Sequence, residues 1–131
     1  MHNALADAGI GPEDVDYINA HGTSTPENDK MEHLGVSTLF GERIRDIPMS
    51  SNKSMIGHTL TAAGAVEAVF TALTLEYQRI PPTINHRVPD PAIPLDVVPN
   101  VARDARINRA VSNSFGFGGQ NISLVLAREP A

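Results

Sequence analysis

The chain has 131 residues, 41% hydrophobic and 19% charged, which suits one folded domain rather than a disordered segment. Its formal net charge of −5, without a cluster of Lys and Arg, argues against a nucleic-acid surface, which needs concentrated positive charge against phosphate. The absence of Cys excludes disulfides, thiolate metal ligands and a cysteine nucleophile supplied by this chain.

Ala4 to Ala8 predicts the end of a helix stopped by Gly9. No capping residue or linker precedes it, as expected of a sequence that starts inside a larger domain. MHNALADAGIG lacks the basic-then-apolar pattern of a signal peptide, and the longest nearly uncharged run, His58 to Leu75, contains Glu67 and is too polar to span a bilayer. The expected location is cytoplasmic, with no membrane contact. Val15 to Ala20 is β-prone and predicts a buried strand running into His21. In HGTSTPEND, Thr25 suits an N-cap, Pro26 the first helical position, and Glu27 and Asp29 the positive end of the dipole. Met31, Leu34, Thr38 and Leu39 then follow helical spacing to Phe40, and Gly41 ends the helix.

Ile47 to Asn52 predicts a second strand, and Thr59 or Thr61 can cap the helix after it. Val66, Val69, Phe70, Leu73 and Tyr77 form that helix's apolar stripe, and the Ala and Thr opposite predict that it is covered on most sides. Glu67 is then either a partly exposed glutamate or a buried one that organises a site or holds a cation. Ile80 to Pro99 carries six of the ten prolines and predicts an extended connection wrapping the domain, long enough to suggest contact with something else. Ala110–Phe115 and Ile122–Ala127 are the last strands, joined by the tight turn Gly116-Phe117-Gly118-Gly119, where backbone N–H groups can approach a ligand. There are no internal repeats. The order β-α-β-α-β-β predicts one α/β layered domain over 1–131.

The stretch SNKSMIGHTLTAAGAVE, Ser51 to Glu67, sets Lys53 and His58 where a short strand is expected to become a long helix. Free N–H groups and the positive dipole end favour an anion or developing negative charge there. His21 leaves the first strand and the glycine turn follows the third, so these features should converge at the carboxyl ends of the strands. Two neutral imidazoles can donate N–H to a carbonyl or enolate oxygen, and the glycine turn can add backbone donors. The rival is a metal held by the two histidines, but no local ligand spacing, Cys or carboxylate partner supports it. His2, His33 and His86 are scattered and read as surface residues. FGFGG lacks the Lys and following helix of a phosphate loop.

Taken together, NAHGTSTPEND, NKSMIGH with AAGAVE, and NSFGFGG resemble the C-terminal part of β-ketoacyl-[acyl-carrier-protein] synthases, I/II-type condensing enzymes of the thiolase superfamily, and the type II enzyme most. The resemblance covers essentially the whole chain and corresponds to roughly the last third of a family member. It implies the C-terminal half of a thiolase-like fold: a mixed sheet with covering helices, lacking its first strand, which is expected to lie centrally. It also implies a decarboxylative Claisen condensation between an acyl-cysteine and malonyl-acyl-carrier protein, in a homodimer and with no cofactor. His21 and His58 match the pair that binds the malonyl thioester carbonyl, and Lys53 the lysine that tunes them. Phe117 matches the gating phenylalanine, whose N–H joins that of the nucleophilic cysteine in the oxyanion hole, and Gly116 and Gly118 are assigned to substrate binding. Thr23 and Thr25 match the contacts to the phosphopantetheine arm. Glu67 matches a buried glutamate linked in some members to a monovalent cation or ordered water, and Asn113 and Ser114 are assigned with it to a structural or possible cation role. The nucleophilic cysteine belongs to the N-terminal half, so this chain alone is expected to be inactive. Gln120 stands where many members have Thr, and Asn28 where many have Gly. An inactive fragment, a split-enzyme subunit and a polyketide-type ketosynthase are the alternatives.

Overall fold

The computed structural model describes residues 1–116 and 118–128. Helix α1 (His2–Asp7) ends at Gly9, which has φ +68°, and leads to strand β1 (Tyr17–Asn19). Helix α2 (Pro26–Phe40) starts after Thr25, with Pro26 in its first turn, and stops at Gly41. Strand β2 (Met49–Ser50) is followed by the four-residue helix α3 (Lys53–Ile56), a 3-10 turn over Leu60–Ala62, and helix α4 (Ala63–Tyr77). The short strands β3 (Arg79–Ile80) and β4 (Arg103–Asp104) pair antiparallel, and β5 (Arg109–Phe115) and β6 (Asn121–Ala127) complete the chain.

The main sheet has the order β2-β1-β5-β6. β1 lies parallel to β2 and β5, while β6 returns antiparallel along β5. Alternation along the strands sorts the core into two faces. Ile18, Met49 and Val111 share the register of one face and pack with Leu5, Val36, Phe40 and Ile44 beneath α1 and α2. Tyr17 and Ala110 lie on the other face and pack with Leu75, Ile80, Val98 and Ile107.

Three expectations are corrected. No central strand is missing from the sheet. β1 and β5 pair directly over three residues, Tyr17↔Ala110 to Asn19↔Ser112, so a further strand could add only outside β2 or β6. The long helix starts later than a cap at Thr59 or Thr61 would place it. α3 and the 3-10 turn intervene, α4 starts at Ala63, and neither Thr59 nor Thr61 makes a side-chain cap.

Much of each helical stripe also faces outward, while Leu39, Val66 and Phe70 are half-buried. Met31 and Leu34 on α2, and Val69, Leu73 and Tyr77 on α4, are exposed, whereas Glu32, Val36 and Phe40, and Ala63, Glu67, Thr71, Thr74 and Leu75, point inward. On α4 the cause is the sheet face it meets. Asn19, Ser50 and Ser112 stand in register there, and Asn19 Nδ2 donates to Glu67 O and Thr71 Oγ1, each at 3.0 Å. A buried polar surface needs hydrogen-bond partners, so the polar side of the helix turns in.

Candidate active site

His21 leaves the carboxyl end of β1 on a backbone held by a buried carboxylate. Glu32, one turn and a half into α2, accepts the His21 N–H at Oε1 and the Gly22 N–H at Oε2, both at 2.9 Å. Asn28 Nδ2 donates to Oε2 at 3.4 Å and Asn113 Nδ2 to Oε1 at 3.3 Å, and Ser123 Oγ in turn donates to Asn113 Oδ1 at 2.8 Å. Burial pushes the Glu32 carboxyl up, and these donors, the Gly22 and His21 amides foremost, hold it down. Gly22 has φ +47°, and a Cβ there would lie 2.5 Å from Ser51 Cβ, so only glycine fits the turn.

Lys53 opens α3, and its Nζ lies 2.5 Å from Glu67 Oε1 with both side chains at 5% exposure or less. Burial raises the Glu67 carboxyl, the Lys53 ammonium opposes that shift, and the nearby Glu32 charge adds to it. Oε2 of Glu67 is buried without a partner among the described residues. His58 follows Gly57, which has φ +74°, and is exposed. Leu60 N–H donates to His58 Nδ1 at 3.1 Å, a contact made with Leu60 in the left-handed region at φ +54°. An accepting Nδ1 places the proton of a neutral His58 on Nε2.

The two imidazoles meet edge to face, with ring centroids 5.5 Å apart and planes at 83°. Phe115, at the end of β5, closes the other side of His21 at 5.6 Å. Gly22, Thr23, Lys53, Gly57, His58 and His86 line part of a 400 Å³ cavity beside His58, and His21 is not among its lining residues. Burial lowers the His21 pKa to about 4, helped by the Lys53 and His58 charges. His21 is therefore neutral at pH 7 and can donate N–H to an anionic oxygen without taking up a proton first.

His21, Lys53 and His58 converge as expected, with Phe115 at the start of the glycine turn beside His21, and Glu67 and Thr23 lie close by. Thr25 Oγ1 is paired with Thr23 Oγ1 at 3.0 Å and does not line the cavity. The Gly116 amide is not free for a ligand, because it donates to Gln120 O at 2.8 Å to close the β5–β6 turn. Gly118, at φ +84°, gives that turn its left-handed step, and Phe117 lies outside the described residues. Asn113 is fully buried and works on Glu32, while Ser114 packs against Gly64 on α4. His86 belongs to the cavity wall rather than to a remote surface. Glu32 and Ser51 escaped notice in the sequence. A signal for Glu32 existed in its i, i+4, i+8 spacing with Val36 and Phe40, the stripe that α2 buries.

A paired-histidine cradle backed by a buried Lys–Glu pair, at the carboxyl ends of a mixed α/β sheet, defines a thiolase-like ketosynthase domain. The chain belongs to the β-ketoacyl synthase family, residues 1–87 matching the model described as "Beta-ketoacyl synthase, C-terminal domain". It is 53% identical over 98% of its length to 3-oxoacyl-[acyl-carrier-protein] synthase 2 of Coxiella burnetii, and 51% identical over 95% to the protein of that name from Staphylococcus aureus. In both cases it spans 31% of the relative. A solved β-ketoacyl synthase from Burkholderia phymatum superposes with a TM-score of 0.92 at 42% identity, covering 98% of this chain and 31% of that one. A type II polyketide ketosynthase, solved in complex with its acyl-carrier protein, superposes with a TM-score of 0.94 at 43% identity, covering 96% and 31%.

Proposed function

We propose that this chain is the C-terminal part of a 3-oxoacyl-[acyl-carrier-protein] synthase that elongates acyl chains by decarboxylative Claisen condensation with malonyl-acyl-carrier protein. The observation that carries the reading is the His21–His58 pair, edge to face with ring centroids 5.5 Å apart, together with the buried Lys53–Glu67 ion pair. The malonyl thioester carbonyl would accept N–H from both imidazoles. The bond to the departing carboxylate breaks, carbon dioxide leaves, and the electron pair becomes an enolate stabilised by those donors. The enolate carbon then bonds to the acyl carbonyl carbon and expels the cysteine thiolate. That cysteine must come from the rest of the synthase, since this chain has none. Lys53 keeps positive charge close to His21, which favours its neutral form.

Thr23 and Thr25 are assigned to the pantetheine arm and Phe117 to the gate. Glu67 Oε2, buried and unpartnered, suits an ordered water or a monovalent cation of the kind the family resemblance attaches to this glutamate. The partners are the acyl carrier protein, the remainder of the synthase and a second copy of it. The acyl-carrier protein in a similar ketosynthase complex supports the first, and the outward apolar stripe of α4 supports a further packed layer. Among the described residues no helix is long and apolar enough to cross a membrane, which fits the expected cytoplasmic enzyme.

His21→Ala or His58→Ala in the full-length synthase should abolish malonyl decarboxylation, and retained decarboxylation would sink the assignment. The second reading, a polyketide-type ketosynthase, is favoured by the similar polyketide structures. Chain-extension assays with the full-length enzyme separate the two, since a fatty-acyl synthase releases a singly extended 3-oxoacyl product and a polyketide ketosynthase extends it repeatedly. An inactive remnant predicts no condensation after co-expression with a matching N-terminal half, whereas a split enzyme would recover it.

A further inference from the structure

Gly22, the residue after His21, is fixed from two sides. Its N–H goes to Glu32, and its carbonyl accepts Ser51 Oγ at 2.7 Å. Ser51 follows β2 and is buried, and it faces three segments at once. Its N–H donates to Thr83 Oγ1 at 3.0 Å, and its carbonyl accepts Ser54 Oγ at 2.8 Å. Ser54 Oγ also accepts the Ile84 N–H at 3.0 Å. Thr83 is itself anchored in the proline-rich strap, donating N–H to Val98 O at 3.0 Å and accepting from Asn100 N at 2.9 Å. The segment that carries Lys53 and leads to His58 is thereby tied to the loop that carries His21 and to the strap.

We propose that Ser51 is a positioning residue: its hydrogen bond to the Gly22 carbonyl locks the His21 loop onto the Lys53–His58 segment and sets the spacing of the two imidazoles. The strap becomes part of the same device through Thr83, which gives a role to a connection too long to be a mere link. Close approach makes the lock tight, because nothing larger than glycine can stand at position 22 against Ser51.

The proposal rests on reading His21 and His58 as the carbonyl-binding pair, so the test uses two readouts in the full-length synthase. One is malonyl decarboxylation. The other is the His21 imidazole titration by NMR, whose neighbouring groups are the Lys53 ammonium, the His58 imidazole and the Phe115 ring. Ser51→Ala keeps Cβ and removes only the hydroxyl. The expected result is a loss in kcat on the order of tenfold, as misplaced catalytic groups give, with KM little changed. The His21 titration should move upward from about 4 towards its ordinary 6.5 as the loop loosens. A Ser51→Ala enzyme with kcat and His21 titration both at wild-type values overturns the proposal. If Ser51→Ala shifts the titration while His21→Ala leaves decarboxylation intact, the lock stands and the catalytic reading fails instead.

Discussion

His21 carries the clearest pH signature of any residue in the site. Its pKa of about 4 lies below its ordinary 6.5, so between these values the unfolded chain binds a proton that the folded one refuses. Its contribution to stability is therefore complete above pH 6.5 and is lost as pH falls towards 4. Glu32 and Glu67 have raised carboxyls and act oppositely, contributing at low pH and less as pH rises through their folded values. The expected outcome in histidine NMR is a His21 resonance still untitrated at pH 5.5, with decarboxylation showing no loss from His21 protonation near neutrality. Glu32→Gln keeps the shape but turns an NH2 towards a backbone donor. It should cost about 1–3 kcal/mol, the penalty for a buried donor left unpaired, read as a lower urea midpoint. Lys53→Met strands Glu67 in the interior and should cost about 3–5 kcal/mol, with much of that recovered in Lys53→Met/Glu67→Leu. Equal stability of the single and double variants would show that the pair is not energetically coupled.

Helix α4 shows how a sequence pattern can name the right element and the wrong face. Much of its apolar stripe lies on its outer surface, because the ends of β1, β2 and β5 present Asn19, Ser50 and Ser112 to its inner one. The inner face pairs polar with polar near the site and turns apolar only at Leu75, where Tyr17, Ile80 and Ile107 begin. Leu75→Ala should therefore cost about 2–5 kcal/mol. Leu73→Ala, two residues earlier in sequence and outward-facing, should change the stability of the chain by less than about 0.5 kcal/mol. Thermal unfolding of the two variants checks the assignment, and equal losses would contradict it. The boundaries of α2 were legible because breakers act locally: Pro26 and Gly41 sit where they were expected, and Thr25 stands at the N-cap position, although its hydroxyl pairs with Thr23 and does not cap the helix. The short helix α3 was not legible, since four residues leave no periodicity to detect.

Across the whole molecule, apolar side chains remain exposed, among them a group on the α4 side of the sheet. Ile122 and Leu124 on β6 share the sheet face that packs α4, and Val69, Leu73 and Tyr77 extend outward from the helix itself. β6 is also an edge strand, with a row of backbone groups that no neighbouring strand pairs among the described residues. The 131-residue chain on its own should self-associate, and Leu124→Lys should reduce the effect by placing a charge on that edge. Sedimentation velocity would show it, and a monomer at every concentration tested would contradict it. The chain spans 31% of the length of these synthase relatives, and an exposed apolar surface of this kind is the sort that partner layers cover.

By itself the sequence determined the class of the domain and the order of its main strands and helices, and it pointed to the histidines, lysine and glutamate that lie together. These follow from local propensity, from capping, and from motifs whose residue types are fixed by chemistry. Only the tertiary structure decided which faces turn inward, that β1 and β5 are neighbours with no strand between them, that Glu32 holds the His21 backbone, and that Gly116 spends its N–H within its own turn. Each of these depends on what lies opposite a residue in space. A buried polar group draws its partners from distant parts of the chain, and spacing along the sequence does not record them.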